Sequence, residues 1–274
     1  MLTMFKRLAS LVPTPATNKV TLFVSDTGIP SYKDDAGLVT PMSGQPIPAG
    51  YIDGLKMEWV SGTQIRFITG SAYIPSLGRA LALTAAVTKS PSLAASTWYH
   101  AYLYSNAGTP DVEVTTTAPD TPYNGTARTK TGDTSRRYIG SFRTNGSSQI
   151  MRFDHAPQTG MVGYATNINN APLHPLATGS ATTQTSISLA ASIPVSGSRA
   201  LLYVENSTSN GAIAYIGVPY IDVVADVITF VRPSGRLSSQ YLIDSSQQIA
   251  YVFNSAPAAS TGLDVWVLGY SYER

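Results

Sequence analysis

The 274-residue chain has no cysteine and few charges: Lys, Arg, Asp and Glu make up 12% of it, about half the usual globular share. Lacking cysteine, it has no disulfide framework, CxxC redox centre or thiolate zinc site. The 18 Lys and Arg against 16 Asp and Glu leave a net charge of +2, too small and scattered to grip nucleic acid. No apolar run approaches the roughly 20 residues of a membrane helix, so neither nucleic-acid partner nor membrane insertion is expected. GxSxG, Walker A and GxGxxG segments are also missing. What is present is 43% hydrophobic residues, enough to build cores. Ser and Thr supply 61 residues, beside 22 Gly and 18 Pro. Solubility then rests on hydroxyls, amides and backbone, as in tightly packed β proteins.

The first twelve residues place apolar side chains at 1, 2, 4, 5, 8, 11 and 12, the spacing of a short amphipathic helix. Lys6 and Arg7 interrupt the apolar run, unlike a secretory signal, so export by that route is not expected. Phe5, Leu8 and Leu11 are the candidates for insertion into a partner. Pro13 and Pro15 stop any helix there.

Beyond this point the periodicity is that of strands punctuated by turns. Val20–Val24 and Leu38–Val39 flank turns at Asp26-Thr27-Gly28 and Tyr32–Gly37; such hairpins bury little and need a partner surface. Leu55–Val60 and Gln64–Gly70 make a first hairpin. In Thr97–Tyr104, Trp98, His100, Tyr102 and Tyr104 share one face and Tyr99, Ala101 and Leu103 the other, so a central strand is expected. Asn145-Gly146 predicts a two-residue hairpin opposing Phe142 with Gln149, Gly140 with Met151 and Tyr138 with Phe153. Residues 156–181 collect Pro, Gly and Asn without alternation and read as a linker or stalk. Strands are then expected at 186–189, 200–205, 212–217, 223–224, 227–232, 248–253 and 264–272, the last alternating Trp266, Leu268, Tyr270 and Tyr272 against Val265, Val267, Gly269 and Ser271. The expected fold is all-β: an N-terminal anchoring segment (1–45), a β domain (46–156), a linker (157–181) and a C-terminal β-sandwich (182–274). Both β domains are expected to be antiparallel sandwiches or jelly rolls.

Candidates for chemistry are sparse. His100, His155 and His174 have no HxH or HExxH spacing and read as core or intersubunit histidines, so no metal site is expected. Asp34-Asp35 and Asp222 with Asp226 are acid pairs whose separation in space alone could suit glycoside hydrolysis. Arg136-Arg137 could clamp an anionic sugar or phosphate, or form a solvated strand entrance. Three N-glycosylation sequons, at Asn124, Asn145 and Asn206, read most simply as turns. No catalytic residue and no cofactor is assigned, and the protein is expected not to be an enzyme.

The run Val12-Pro13-Thr14-Pro15-Ala16-Thr17-Asn18-Lys19-Val20-Thr21-Leu22-Phe23-Val24-Ser25-Asp26-Thr27-Gly28, followed by Tyr32-Lys33-Asp34-Asp35-Ala36-Gly37, resembles the opening of tail-fibre and related appendage proteins of tailed bacteriophages. Thr97–Tyr104 followed by Arg137–Phe142 is similar to a β module of the same virion proteins; together these cover about half the chain. The resemblance implies a virion protein made in the host cytoplasm, docked to the particle by its N-terminus and assembled as a homotrimer. Its distal β domain would contact the host surface, with a bacterial polysaccharide as a possible ligand. Strands apolar on both faces, as at 97–104 and 264–272, suit three copies around one axis. The alternatives are a head decoration or collar protein bound to other virion proteins, a secreted carbohydrate-binding module, and a polysaccharide depolymerase spike. The spike is disfavoured because no repeat of 20–30 residues is present. Charge divides as 4 basic and 3 acidic residues in 1–45, 10 and 7 in 46–156, and 4 and 6 in 157–274.

Overall fold

The structure, a computed structural model, describes residues 6–26, 28–42, 47–226 and 229–274. It is all-β with no α-helix among the described residues, and nearly every strand pairing is antiparallel. The chain divides into two compact units, Met1–Pro48 and Ala49–Arg274.

The first unit is a four-stranded sheet of β1 (Lys6–Arg7), β2 (Thr21–Ser25), β3 (Pro30–Lys33) and β4 (Val39–Pro41), paired in that order. The expected amphipathic helix is not formed over its described residues. Lys6 and Arg7 instead pair in parallel with Val24 and Ser25, and Ala9–Leu11 make one 3₁₀ turn. The physical reason is length: a segment this short, stopped by Pro13, cannot recover the cost of helix nucleation. Among its described residues Val12 and Phe23 are the buried apolar ones. The Val12 carbonyl accepts a hydrogen bond from Lys33 Nζ at 2.9 Å.

In the second unit β5 (Ile52–Gly54), β6 (Met57–Ser61), β7 (Gln64–Phe67), β8 (Gly70–Ile74), β9 (Arg79–Leu83) and β10 (Val87–Lys89) form two three-stranded sheets, ordered β5-β8-β9 and β10-β7-β6. Then β11 (Trp98–Asn106), β12 (Thr109–Thr115), β13 (Thr129–Lys130) and β14 (Asp133–Arg143) form a sheet ordered β12-β11-β14-β13. β11 is central, as expected, and Tyr99 through Leu103 are buried on both faces.

The remaining strands are β15 (Phe153–Ala156), β16 (Met161–Tyr164), β17 (Leu176–Gly179), β18 (Thr185–Ser188), β19 (Gly197–Asn206), β20 (Ala214–Gly217), β21 (Thr229–Val231), β22 (Arg236–Leu242), β23 (Gln248–Phe253) and β24 (Leu263–Tyr272). They build a sheet ordered β15-β16-β24-β19-β22, with β17 also on β24, and a second ordered β18-β23-β20-β21.

Several expectations need correction. Residues 157–181 are not a free linker, because β16 and β17 both pair with β24. The expected domains 46–156 and 182–274 share one core cluster that runs from Leu55 to Tyr272. Tyr270 and Tyr272 donate hydrogen bonds to the carbonyls of Ser141 and Ile139, each at 2.9 Å, tying β24 to β14. Gly140 is required at this crossing, since a Cβ there would lie 2.6 Å from Met57 Sδ and 2.8 Å from the Tyr272 hydroxyl oxygen.

The Asn145-Gly146 hairpin is also displaced. Asn145 Oδ1 accepts the N–H groups of Ser147 (2.9 Å) and Gln149 (3.0 Å), and Ser148 takes the left-handed conformation at φ 58°. This side-chain turn replaces the two-residue turn. Thr144 then bridges Ile150, and Phe153 pairs with Tyr164 rather than Tyr138.

The simple alternation expected in β24 is broken as well. Leu201 pairs with Gly269 while Leu202 pairs with Val267, leaving Leu268 as an extra residue. A bulge reverses the facing of the residues on its far side, so Val265, Val267, Tyr270 and Tyr272 are all buried. Val223 and Val224 lie in a turn instead of a strand, β22 was not anticipated, and the expected strand residues 227–228 lie outside the described residues.

Candidate functional site

The interior carries a set of polar side chains whose hydrogen bonds are mutually consistent. His155, on β15, accepts the Met57 N–H at Nδ1 (2.9 Å). Its proton therefore sits on Nε2, which donates to the Tyr272 hydroxyl oxygen (3.0 Å), while that hydroxyl donates to the Ile139 carbonyl (2.9 Å). His100, on β11, shares a 2.7 Å hydrogen bond with Ser141, and the chain continues to Tyr138 (2.7 Å) and Ser196 (2.6 Å). Burial pushes His100 down to about 4 and His155 down to about 3, so both rings are neutral near pH 7. Burial likewise raises the Tyr138 hydroxyl to about 12. These groups are engaged with one another and with backbone.

The other candidates are dispersed. His174 stacks on Trp266 with centroids 4.4 Å apart and pairs with Asp264 at 3.0 Å. Asp34 Oδ1 accepts the N–H groups of Ala36 and Leu38, and Asp35 Oδ2 that of Asn18, so this acid pair caps turns of the first unit. Asp222 does the same for Val224 and Ala225, and those backbone bonds lower its pKa. Arg136 and Arg137 separate because successive residues of a strand face opposite sides. Arg136 pairs with Glu113 at 2.7 Å and lies 4.0 Å from the Tyr104 ring centroid. Arg137 is fully buried and donates to the carbonyls of Arg128, Tyr138 and Gly50. Desolvation lowers its pKa to about 10, and no anion clamp results. Among the described residues no group of three or more His, Asp or Glu is placed to hold a metal ion.

Of the docking candidates, Leu8 and Leu11 are 51% and 66% exposed, whereas Phe5 lies outside the described residues. Val20, Leu22, Leu38 and Met42 of the same small unit are also exposed.

Two surface features of the second unit could receive a ligand, and sequence reasoning found neither. In one, the 218–226 loop lies over Ala250 and Val252, with Val223 buried beneath. Gln184 holds this loop by donating to the Pro219 and Ile221 carbonyls and accepting the Val223 N–H. An open groove of about 510 Å³ beside it is lined by Thr182, Thr183, Tyr220 and Asp222.

In the other, Trp59 on β6 and Arg152 just before β15 meet on the surface. The Trp59 indole N–H donates to the Ile150 carbonyl at 3.0 Å, fixing the ring, and the Arg152 guanidinium carbon is 5.4 Å from its centroid. The pair lines two clefts, of about 250 Å³ and 230 Å³. The residues are far apart in sequence and carry no local motif; only the neighbouring courses of β6 and β15 bring them together.

No protein-family model and no curated protein sequence matches the chain.

Proposed function

We propose that the chain is a non-enzymatic structural protein of a tailed bacteriophage, a short homotrimeric tail fibre. Residues 1–45 dock to the particle, and the sandwich-like strands of 182–274 contact the host surface. The observation that carries this reading is the first unit. It is a separate small sheet with two buried apolar side chains among its described residues and a surface that exposes Leu8, Leu11, Val20, Leu22, Leu38 and Met42. So many exposed apolar side chains on so small a unit mark a surface made to be covered, and the unit contains the run that resembles phage appendage proteins. The grooves of the second unit supply a means of adhesion, since aromatic rings beside hydroxyls, amides and charges suit sugar recognition.

Deleting residues 1–40, or introducing Leu8→Asp with Leu11→Asp, is expected to reduce incorporation into particles at least tenfold while the purified second unit keeps its β-sheet circular dichroism. Unchanged incorporation would sink the anchoring role, and a monomer by light scattering would sink the trimer. Gold-tagged antibody bound at the head or collar would favour the decoration or collar role over the tail fibre.

A further inference from the structure

We infer that the cleft between Trp59 and Arg152 binds a saccharide unit bearing a carboxylate, a uronic-acid type of residue. This adds an adhesive site built from residues between 56 and 171 to the host contact proposed for 182–274, and rests on the adhesion reading only for its biological setting.

The first requirement is a fixed aromatic plate. Trp59 is half-buried, and its N–H is already bonded to the Ile150 carbonyl, so ligand binding need not immobilise the ring. Trp59 lines both clefts beside Arg152, so it offers apolar surface there to the apolar face of a pyranose. The second requirement is an anion receptor. Arg152 is exposed and engages the Trp59 ring, with no carboxylate paired to it among the described residues. By contrast, Arg66 is bound to Glu58 at 2.6 Å, Arg136 to Glu113 and Arg128 to Glu273 at 2.9 Å. A guanidinium offers a planar fork that matches a carboxylate with two hydrogen bonds.

The rest of the lining fits the same ligand. In the larger cleft Arg152 is the single charged residue, and Asn145, Gln149, Thr166 and Asn170 surround it with amide and hydroxyl groups suited to sugar hydroxyls. Asn145 Oδ1 is committed to its own turn, which presets that side chain. The adjoining cleft holds Lys56, Arg66 and Arg152 against Glu58 and Asp154, three cations to two carboxylates, so positive charge continues along the path of a polymer. The segment 46–156 also carries the chain's excess of basic residues, 10 against 7.

The test is calorimetric titration of the full chain with a hexameric oligogalacturonate, using uncharged maltohexaose for comparison and poly-L-glutamate as competitor. The oligogalacturonate is expected to bind at least tenfold tighter than maltohexaose. Arg152→Ala should weaken it tenfold or more, Arg152→Lys several-fold because the charge remains while the fork is lost, and Arg199→Ala not at all. Near-UV circular dichroism confirms that each variant is folded. Equal binding of the neutral hexamer, an unaffected Arg152→Ala variant, or displacement by poly-L-glutamate at equal charge would overturn the proposal. None of these outcomes bears on particle incorporation, so this inference and the fibre reading fail separately.

Discussion

Lowering the pH from 7 to 4.5 is expected to destabilise the second unit by several kcal/mol, well before most carboxylates titrate. The cause is the pair of buried neutral histidines. Above the ordinary value of 6.5 both are uncharged in the folded and unfolded chain and contribute no pH dependence. Below 6.5 the unfolded chain takes up two protons that the folded chain refuses until about pH 4 at His100 and about pH 3 at His155. The unfolded state then binds more protons, and stability falls with pH, on the order of 3 kcal/mol per histidine by pH 4. Against a typical total of about 5–15 kcal/mol this is a large share. Protonating His155 also puts a second donor against the Met57 N–H and breaks the bond that joins β6 to β15. The paired carboxylates behave differently: Glu58, Asp111, Glu113 and Asp133 are lowered in the folded chain, so the stability they contribute is complete above their ordinary values and is lost as pH falls through and below those values. The histidine loss therefore begins at higher pH than the carboxylate loss.

Urea midpoints read by tryptophan fluorescence from pH 7.5 to 4 measure this directly. His155→Gln preserves an acceptor for Met57 and a donor for Tyr272 but cannot be charged. It is expected to cost about 1–2 kcal/mol at pH 7 and to halve the slope between pH 6 and 4.5. The double variant with His100→Gln should be nearly flat. A wild-type midpoint that is the same at pH 7 and 4.5 would refute the argument.

The all-β class and the central place of β11 were legible in the sequence because both rest on local alternation. Trp98 through Tyr104 carry apolar side chains on both faces, and a strand of that kind must be covered on both sides. What alternation could not show was pairing across long separations. Residues 157–181 look like a linker since Gly160, Pro172 and Pro175 punctuate them, yet the short runs Met161–Tyr164 and Leu176–Gly179 find partners on β24. Their hydrogen bonds are non-local and leave little trace in composition. A bulge is likewise invisible in a pattern: Leu268 fits the alternation of β24 as well as its neighbours do, and only the pairing with β19 shows it to be the extra residue. The Trp59–Arg152 contact was hidden for the same reason, while Arg136-Arg137 drew notice merely by being adjacent. Charge proximity in sequence was a poor guide because adjacent strand residues part to opposite faces.

The same non-local pairing leads to the largest expected effect, that of Val267→Asp. Val267 is fully buried in the middle of β24, where it pairs with Leu202. A carboxylate there has no partner, so the cost is about 4 kcal/mol or more, enough to unfold many domains. The informative question is how far the damage spreads. If 46–156 were an independent domain, its structure would survive. Instead β24 supplies the hydroxyls that bond to Ser141 and Ile139, the partner of His155 Nε2, and the pairing edges for β16 and β17. The Trp98 indole N–H donates to the Ala190 carbonyl, a further bond between the expected domains. Trp59 should therefore report the loss. In a protein carrying Trp98→Phe and Trp266→Phe, its fluorescence is expected to show one cooperative urea transition, shifted to much lower urea by Val267→Asp. A fragment of residues 46–156 is expected to lack a cooperative transition altogether, because removing β24 exposes Tyr138 and Met57 and leaves His155 without Tyr272. Survival of the Trp59 transition in Val267→Asp at its original midpoint would restore two independent domains. A single shifted transition would establish that the last strand in the chain closes the core begun at Leu55.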